Sequence, residues 1–151
     1  MLASKNIGVA HPASNTLRSR LSRTRPRQEV DDRSGPGVYV VKCGECDDCY
    51  VGETGRCFKT RLREHRDDVR LGRERNAIYN HVHETNHAID WSNSGLVYHS
   101  NKLSNRLVVE SALIKQTNNF NSMPGTSFID NHSASTIITS NPSILRKFLG
   151  F

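Results

Sequence analysis

Thiols and imidazoles are the first side chains in this sequence whose spacing suggests chemistry. All four cysteines lie between Cys43 and Cys57, whereas a disulfide framework would spread them along the chain. The clustering therefore favours metal binding in a reducing compartment. Cys43-x2-Cys46, taken with the later pair His81-x5-His87, has the ligand chemistry of a tetrahedral Cys2His2 zinc site.

The sequence leaves the choice of metal ligands open. Cys49 and His83 are rival ligands, with the spacings Cys46-x2-Cys49 and His83-x3-His87. The gap from Cys46 to His81 is far longer than in a zinc finger, so a metal ion would clamp a hairpin to a later helix and stabilise a modest core. The alternative without a metal is a turn of free thiols with surface histidines.

Polar side chains interrupt the apolar face of the first predicted helix. Its stripe at helical spacing consists of Phe58, Leu62 and Val69. His65 falls in the middle of that stripe, and Arg61 flanks it one turn earlier. The structural alternatives are a core histidine bonded to a backbone carbonyl and a surface pair between Arg61 and Glu64.

A carboxylate has a similar position in the last long predicted helix. The stripe there consists of Leu103, Leu107 and Ile114, with Glu110 at its centre. A buried, unpaired carboxylate is costly, so Glu110 needs a cation, a metal ion or hydrogen-bond donors. Its structural alternative is a pair with Arg106 at the edge of the helix.

Local patterns predict the elements that position these side chains. Runs of β-branched and aromatic residues indicate strands, and helical spacing with a glycine stop at Gly72 indicates helices. The predicted strands are Val38–Lys42, Tyr50–Glu53 and Leu96–His99, and the predicted helices are Arg56–Leu71, Asn76–Thr85 and Leu103–Gln116. After Thr126 the signals are weak, and Ile144–Phe148 either docks as a final turn or stays undocked. We predict an α+β fold in which a small three-stranded antiparallel sheet is flanked by helices, with a poorly ordered C-terminal tail.

The positive charge of the chain is concentrated at its N-terminus. Residues 1–28 contain six Lys or Arg residues and no acid, which equals the net charge of +6. This Ser-, Arg- and Pro-rich segment has few large apolar residues, so we predict a disordered basic arm. It is a solvated tail, a nucleic-acid-binding or nuclear-import segment, or a mitochondrial transit peptide. No apolar run approaches the roughly 18 residues of a membrane helix, and we expect no membrane partner.

Five short motifs occur in an order that resembles one known family. They are GVY at Gly37–Tyr39, YVGET at Tyr50–Thr54, RLREH at Arg61–His65, VVESALI at Val108–Ile114 and NNFN at Asn118–Asn121. Together they resemble the GIY-YIG endonuclease domain, with valine in place of isoleucine in both halves of the name motif. The CxxC between the tyrosines and the histidines of NHVHETNHAIDW resemble the subtype attached to Penelope-like retroelements, which has a CCHH zinc-binding motif.

The resemblance implies hydrolysis of a phosphodiester bond in DNA, with strand nicking as the expected reaction. Tyr39 and Tyr50 would flank the attacking water, with Tyr39 as the preferred base or water orienter and Tyr50 in support. Arg61 would neutralise the phosphate. His65 would relay a proton or bond a tyrosine hydroxyl.

The resemblance also implies a divalent ion and an asparagine in the site. Glu110 would hold Mg²⁺ or Mn²⁺ on the leaving-group side. A late asparagine would bond phosphate or backbone; Asn121 fits best by position, and Asn118 and Asn119 are alternatives. Zn²⁺ would have a structural role. On the far face of the first predicted helix, a basic ridge is either a solvated face or a track for DNA phosphates, and it consists of Lys59, Arg63, Arg66 and Arg70.

The expected organisation is a basic arm over residues 1–34, a nuclease domain over 35–125 and a tail over 126–151. The expected location is nuclear, with mitochondria as the alternative. In retroelements such a domain accompanies a reverse transcriptase, which 151 residues cannot contain, so a reverse transcriptase encoded by the same element is an expected partner alongside DNA. The alternative function is a catalytically inactive, zinc-stabilised nucleic-acid-binding module.

Overall fold

A short antiparallel hairpin begins the fold, as the strand patterns predict. In the computed structural model, which describes residues 34–123 and 129–148, β1 (Gly37–Cys43) pairs with β2 (Cys49–Thr54). On its other side β1 pairs antiparallel with β3 (Ile89–His99), which gives the strand order β2-β1-β3. The predicted three-stranded antiparallel sheet, flanked by helices, is confirmed.

The third strand is longer than the predicted Leu96–His99. Its first half is polar, and Asp90 accepts hydrogen bonds from the backbone N–H groups of Ser92 and Asn93. The register against β1 shifts in this part of the strand. A polar, bulged strand has no alternating apolar pattern, which is why the sequence indicates only its apolar end.

Five helices surround the sheet within the described residues. They are α1 (Phe58–Arg70), α2 (Ala77–Thr85), α3 (Leu103–Gln116), α4 (Asn131–Thr139) and α5 (Pro142–Phe148). The first three lie where local signals predict them. Gly72 follows α1 with a φ of 68°, a left-handed conformation that glycine adopts without strain. None of these helices has the length and apolar character needed to cross a membrane.

Both faces of the sheet are covered, and the alternation along β1 assigns the layers. Val38 and Val40 pack with residues of α3, α4 and α5 in one cluster. Tyr39 and Val41 pack on the other face with residues of α1 and α2. A strand that is buried on both faces is apolar throughout, which explains the run GVYVV.

The burial of α3 differs from the predicted stripe. Leu103 is 53% exposed, whereas Val109, Ala112 and Leu113 are buried against the sheet. Apolar residues lie on several sides of this helix, so sequence alone could not select the face that contacts the sheet. Glu110 is consequently at the edge of the buried face, half-exposed, and not at its centre.

The segment predicted as a poorly ordered tail contains α4 and α5. Asp130 caps α4 by accepting a hydrogen bond from the backbone N–H of Ser133. Ala134, Ile138 and Ile144 are buried in the same cluster as α3, so the docked alternative for the final turn agrees with the structure. The compact unit thus extends beyond residue 125. The predicted basic arm, apart from Ser34, lies outside the described residues.

Candidate active site and metal centre

The outer edge of β2 is covered by α3 and by the segment after α3, because both bond to backbone groups of β2. The N–H of Cys49 donates to the carbonyl of Asn118 at 3.1 Å. The N–H of Val51 donates to Oδ1 of Asn121 at 2.9 Å, and Asn121 Nδ2 donates back to the carbonyl of Val51 at 2.6 Å. These contacts bring the end of α3 around the sheet edge to the side of Tyr50.

A cavity of about 510 Å³ opens beside this edge. Five of the six predicted catalytic residues line it: Tyr50, Arg61, His65, Glu110 and Asn121. They come from β2, α1, α3 and the segment after α3. Asp68, Arg75 and Asn76 also line the cavity, although none of them belongs to the five motifs. A volume of this size can admit one or two nucleotide-sized groups.

Tyr39, the sixth predicted catalytic residue, lies directly behind the cavity. Its side chain is fully buried, and its hydroxyl contacts His65 Nε2 at 2.8 Å and receives a hydrogen bond from Arg61 Nε at 3.3 Å. Burial, together with the nearby Tyr50, raises the pKa of Tyr39 well above its ordinary value. A Cβ atom at Gly52 would lie 2.5 Å from this hydroxyl, so only glycine fits opposite Tyr39 in the hairpin.

Arg61 contacts both a proposed catalytic residue, Tyr39, and a neighbour on its own helix, Glu64. Besides its bond to Tyr39, it donates to Glu64 at 3.1 Å, which is the pairing expected from the i,i+3 spacing. Glu64 also binds Arg56 at 2.9 Å. The guanidinium is therefore held on both sides while it lines the cavity.

His65 is buried in the first-helix stripe, as predicted, and is neutral near pH 7. Burial first, and then the charge of Arg61, lower the pKa of His65 to about 4. Nδ1 of His65 lies 3.2 Å from Nδ2 of Asn76. The predicted bond to a tyrosine hydroxyl is present, and a bond to a backbone carbonyl is not the arrangement of this ring.

Glu110 is not paired with Arg106, which was its structural alternative. Arg106 is buried and donates to Glu53 at 2.8 Å and to two backbone carbonyls. Burial and the negative charge of Glu53 raise the pKa of Glu110 to about 7, although a hydrogen bond from the backbone N–H of Glu53 opposes this. Glu110 thus presents a half-buried carboxylate to the cavity, beside a second carboxylate.

Four side chains form a second site at the far end of the hairpin. Their ligand atoms all lie within 4.8 Å of one another, and they belong to Cys43, Cys46, His81 and His87. A tetrahedral zinc ion separates its sulfur and nitrogen ligands by about 3.6 Å, given typical bond lengths. The observed distances are 3.6 Å from Cys43 Sγ to His87 Nδ1, 3.7 Å from Cys46 Sγ to His81 Nε2 and 3.4 Å from Cys43 Sγ to His81 Nε2. The cluster therefore has the size and chemistry of a metal site.

The rival ligands lie outside this cluster. Cys49 Sγ donates to the carbonyl of Asn118 at 3.3 Å, and His83 stacks on Tyr79 with ring centroids 5.5 Å apart. The backbone N–H of Glu45 donates to Cys43 Sγ at 3.4 Å. The hairpin turn is also tied to the segment after α2, because Gly44 N donates to the carbonyl of Ala88 at 2.8 Å.

Phe120 connects the two sites, and the sequence patterns did not indicate this role. Its ring stacks on His81 at 4.1 Å between centroids and lies 6.4 Å from the ring of Tyr50. Its backbone N–H donates to the carbonyl of Cys49 at 3.0 Å. The asparagines that flank Phe120 mark this segment in the sequence, but nothing in the sequence indicates the stacking.

The basic ridge on α1 is exposed at all four positions, Lys59, Arg63, Arg66 and Arg70. Arg70 pairs with Asp67 at 3.3 Å, and the guanidinium of Arg66 lies 5.3 Å from the ring centroid of Trp91. An ion pair between exposed side chains is weak, so the pair with Asp67 leaves Arg70 accessible to other charged groups.

No protein-family model, curated protein or solved structure matches this chain. The features that bear on its function are the cavity, the metal cluster and the order of the motifs.

Proposed function

We propose that this protein is a metal-dependent DNA endonuclease of the GIY-YIG type that hydrolyses phosphodiester bonds by nicking one strand. The observation that carries the proposal is the cavity at the β2 edge. It gathers Tyr50, Arg61, His65, Glu110 and Asn121, which the resemblance names from separate motifs. The five side chains belong to β2, α1, α3 and the segment after α3, and all of them line the one cavity.

Arg61 is the residue that would meet the scissile phosphate. Its guanidinium is held by Tyr39 and Glu64 while it lines the cavity, so little side-chain freedom is lost when a phosphate binds. A planar fork of donors suits the equatorial oxygens of a phosphoryl group, whose negative charge grows in the transition state.

Tyr50 would contact the attacking water, with Tyr39 behind it. Tyr50 lines the cavity, whereas Tyr39 is fully buried. Burial, with a contribution from the charge of Glu110, raises the pKa of Tyr50 above its ordinary value, although the charge of Arg61 and hydrogen bonds with Arg61 and Tyr39 oppose this. This order of the two tyrosines is the reverse of the one expected from the sequence.

Glu110 is the residue that would hold Mg²⁺ or Mn²⁺. Its half-buried carboxylate beside Glu53 fits the oxygen ligands that these hard cations prefer. When bound, such an ion would stabilise the negative charge on the leaving oxygen. Asn121 would fix the position of Glu110 and Tyr50 by tying its own segment to Val51.

The Cys2His2 cluster would hold a structural zinc ion that clamps the hairpin to α2. The retroelement origin, the nuclear location and a reverse transcriptase partner remain predictions of the resemblance. The exposed ridge on α1 and the basic arm would supply sequence-independent affinity for DNA.

A second candidate function is a zinc-stabilised nucleic-acid-binding module without catalysis. The cluster and the exposed ridge favour it, because both are suited to binding and neither requires a working cavity.

Nicking of supercoiled plasmid with Mg²⁺ separates the two functions. The wild-type chain should convert the plasmid to the open circle, and Glu110→Gln and Arg61→Ala should lose this activity while retaining retardation of DNA on a gel. Glu84→Gln, which removes an exposed carboxylate on α2, is the matched control and should nick normally. If the wild type binds DNA but no metal ion supports nicking, the binding module is the correct function.

A further inference from the structure

Asn76 occupies a position that neither the motifs nor the charge pattern assigned to the site. It lies immediately before α2, is buried, and lines the cavity between His65 and Asp68. Its side chain makes three hydrogen bonds, and together they fix which end of its amide faces each neighbour.

The orientation of the Asn76 amide follows from its donors and acceptors alone. The backbone N–H of Ile78 can only donate, and it lies 2.9 Å from Oδ1 of Asn76, as in a helix N-cap. The other end of the amide is therefore the NH2 group. One of its protons goes to the carboxylate of Asp68, where Nδ2 and Oδ2 are 2.8 Å apart. The second proton points to Nδ1 of His65 at 3.2 Å.

This arrangement determines the tautomer of His65. A neutral imidazole carries one N–H, and Nδ1 accepts from Asn76, so the proton of the ring lies on Nε2. Nε2 then donates to the hydroxyl oxygen of Tyr39 at 2.8 Å. The same oxygen accepts from Nε of Arg61 at 3.3 Å.

We propose that Asn76 is a positioning residue that holds His65 as the Nε2–H tautomer, so that His65 donates a hydrogen bond to Tyr39 and does not accept its proton. Of the two roles that the sequence left open for His65, this selects the bond to a tyrosine hydroxyl over the proton relay.

The consequence extends to the cavity. With two donors on its oxygen, Tyr39 directs its own proton elsewhere, and a hydrogen bond links it with Tyr50. Each residue in this series therefore donates a hydrogen bond to the next: Asn76 to His65, His65 to Tyr39, and Tyr39 to Tyr50, which faces the cavity. This catalytic consequence rests on the proposed function, whereas the tautomer does not.

The tautomer is tested by ¹⁵N NMR of the full-length, zinc-loaded chain near pH 7. Protonated and unprotonated ring nitrogens differ widely in chemical shift, and the His65 signals are identified by their loss in His65→Gln. We expect a protonated Nε2 and an unprotonated Nδ1. A protonated Nδ1, or a mixture of both tautomers, overturns the proposal.

A charge-neutral exchange of the two partners tests the role of Asn76. In the double variant Asp68→Asn/Asn76→Asp, the carboxylate introduced at position 76 still caps α2, still bonds the side chain at position 68, and presents only acceptors to Nδ1 of His65. The imidazole should switch to the Nδ1–H tautomer with the melting temperature little changed. If the ring keeps its proton on Nε2 in the exchanged variant, Asn76 does not set the tautomer. Should that variant fold poorly, the wild-type spectrum still decides the tautomer.

Nicking is measured on the same samples. A residue that orients a site histidine through its second nitrogen is typically worth about 10- to 100-fold in function, so the exchanged variant should nick at least about tenfold more slowly. Asp68→Asn alone keeps the donor of Asn76 and should retain the Nε2–H tautomer of His65. A wild type with the Nε2–H tautomer but without nicking would refute the proposed function and leave the tautomer assignment standing. A switched tautomer with unchanged nicking would overturn its catalytic consequence.

Discussion

Glu110→Gln should make the protein more stable than the wild type at pH 8. At pH 5 the gain in stability should be much smaller. The substitution keeps the size of the side chain and an oxygen that can accept the backbone N–H of Glu53. It removes a carboxylate whose pKa is raised to about 7 by burial and by the charge of Glu53. The prediction concerns stability and is independent of whether the protein cuts DNA.

The size and sign follow from proton linkage. A carboxyl group with a pKa of about 7 in the native state and 4.5 in the unfolded state binds more protons when folded, so wild-type stability falls as the pH rises between these values. At about 1.36 kcal/mol per pH unit, the full effect is about 3 kcal/mol. Because Glu110 is only half-buried, solvent screening reduces this effect. We expect the free energy of unfolding of Glu110→Gln, relative to that of the wild type, to increase by about 1 to 2 kcal/mol from pH 5 to pH 8.

The assay is urea unfolding of zinc-loaded wild type and Glu110→Gln at both pH values, without Mg²⁺. Fluorescence of Trp91, the only tryptophan in the chain, reports the transition from its place beside the α1–α2 core cluster. The free energy of unfolding comes from the midpoint and slope. Because each comparison is made at one pH, the contributions of other titrating groups cancel.

Glu64→Gln is the control with the opposite sign. Burial raises the pKa of Glu64, but hydrogen bonding from Arg61 and the charge of Arg56 outweigh burial and hold this pKa below its ordinary value. That carboxylate stabilises the fold at pH values above its unfolded pKa, so Glu64→Gln should lose stability at pH 8 relative to the wild type. A stability difference between Glu110→Gln and the wild type that is the same at pH 5 and pH 8 would refute the reasoning about Glu110.

Three further predictions follow from the metal centre, the tyrosines and the arm. Purified protein should contain about one zinc per chain by elemental analysis, and Cys43→Ser should lower both zinc content and melting temperature, since structural zinc is coupled to folding; unchanged melting on zinc removal would contradict the clamp. Tyr50→Phe should reduce single-turnover nicking more than Tyr39→Phe, and the reverse ranking would restore Tyr39 as the group at the water. Deleting residues 1–28 should weaken DNA binding and lower the slope of log K against log salt by roughly 0.9 for every phosphate that the protein no longer neutralises, with nicking at saturating protein unchanged; an unaltered slope would make the arm a bystander or a targeting segment.

The hairpin and the first three helices could be predicted because their signals are local. Gly72 ends α1 and Asn76 begins α2 for reasons contained in a few residues. The stripe of α1 was also correct, since its apolar residues lie on one side. The stripe of α3 was not, because a helix that is apolar on several sides takes its buried face from the sheet it contacts.

The cavity could be predicted only as a set of residues. Its shape depends on the segment after α3 pairing with the edge of β2, about 70 residues earlier in the chain, and such long-range pairing has no periodic pattern. Asn76 shows the same limit. The sequence identifies it as a helix start, yet its contact with His65 depends on how α1 and α2 pack.

The covered edge of β2 also bears on the behaviour of variants in solution. Cys49, Val51 and Glu53 turn their N–H groups away from β1, and these groups bond to Asn118, Asn121 and Glu110. An open strand edge would otherwise invite pairing with a second chain and self-association. Two of the proposed catalytic residues therefore also cover this strand edge. A truncation such as Asn121→Ala is expected to promote aggregation as well as to lower activity, whereas Glu110→Gln, which keeps its acceptor, should stay dispersed.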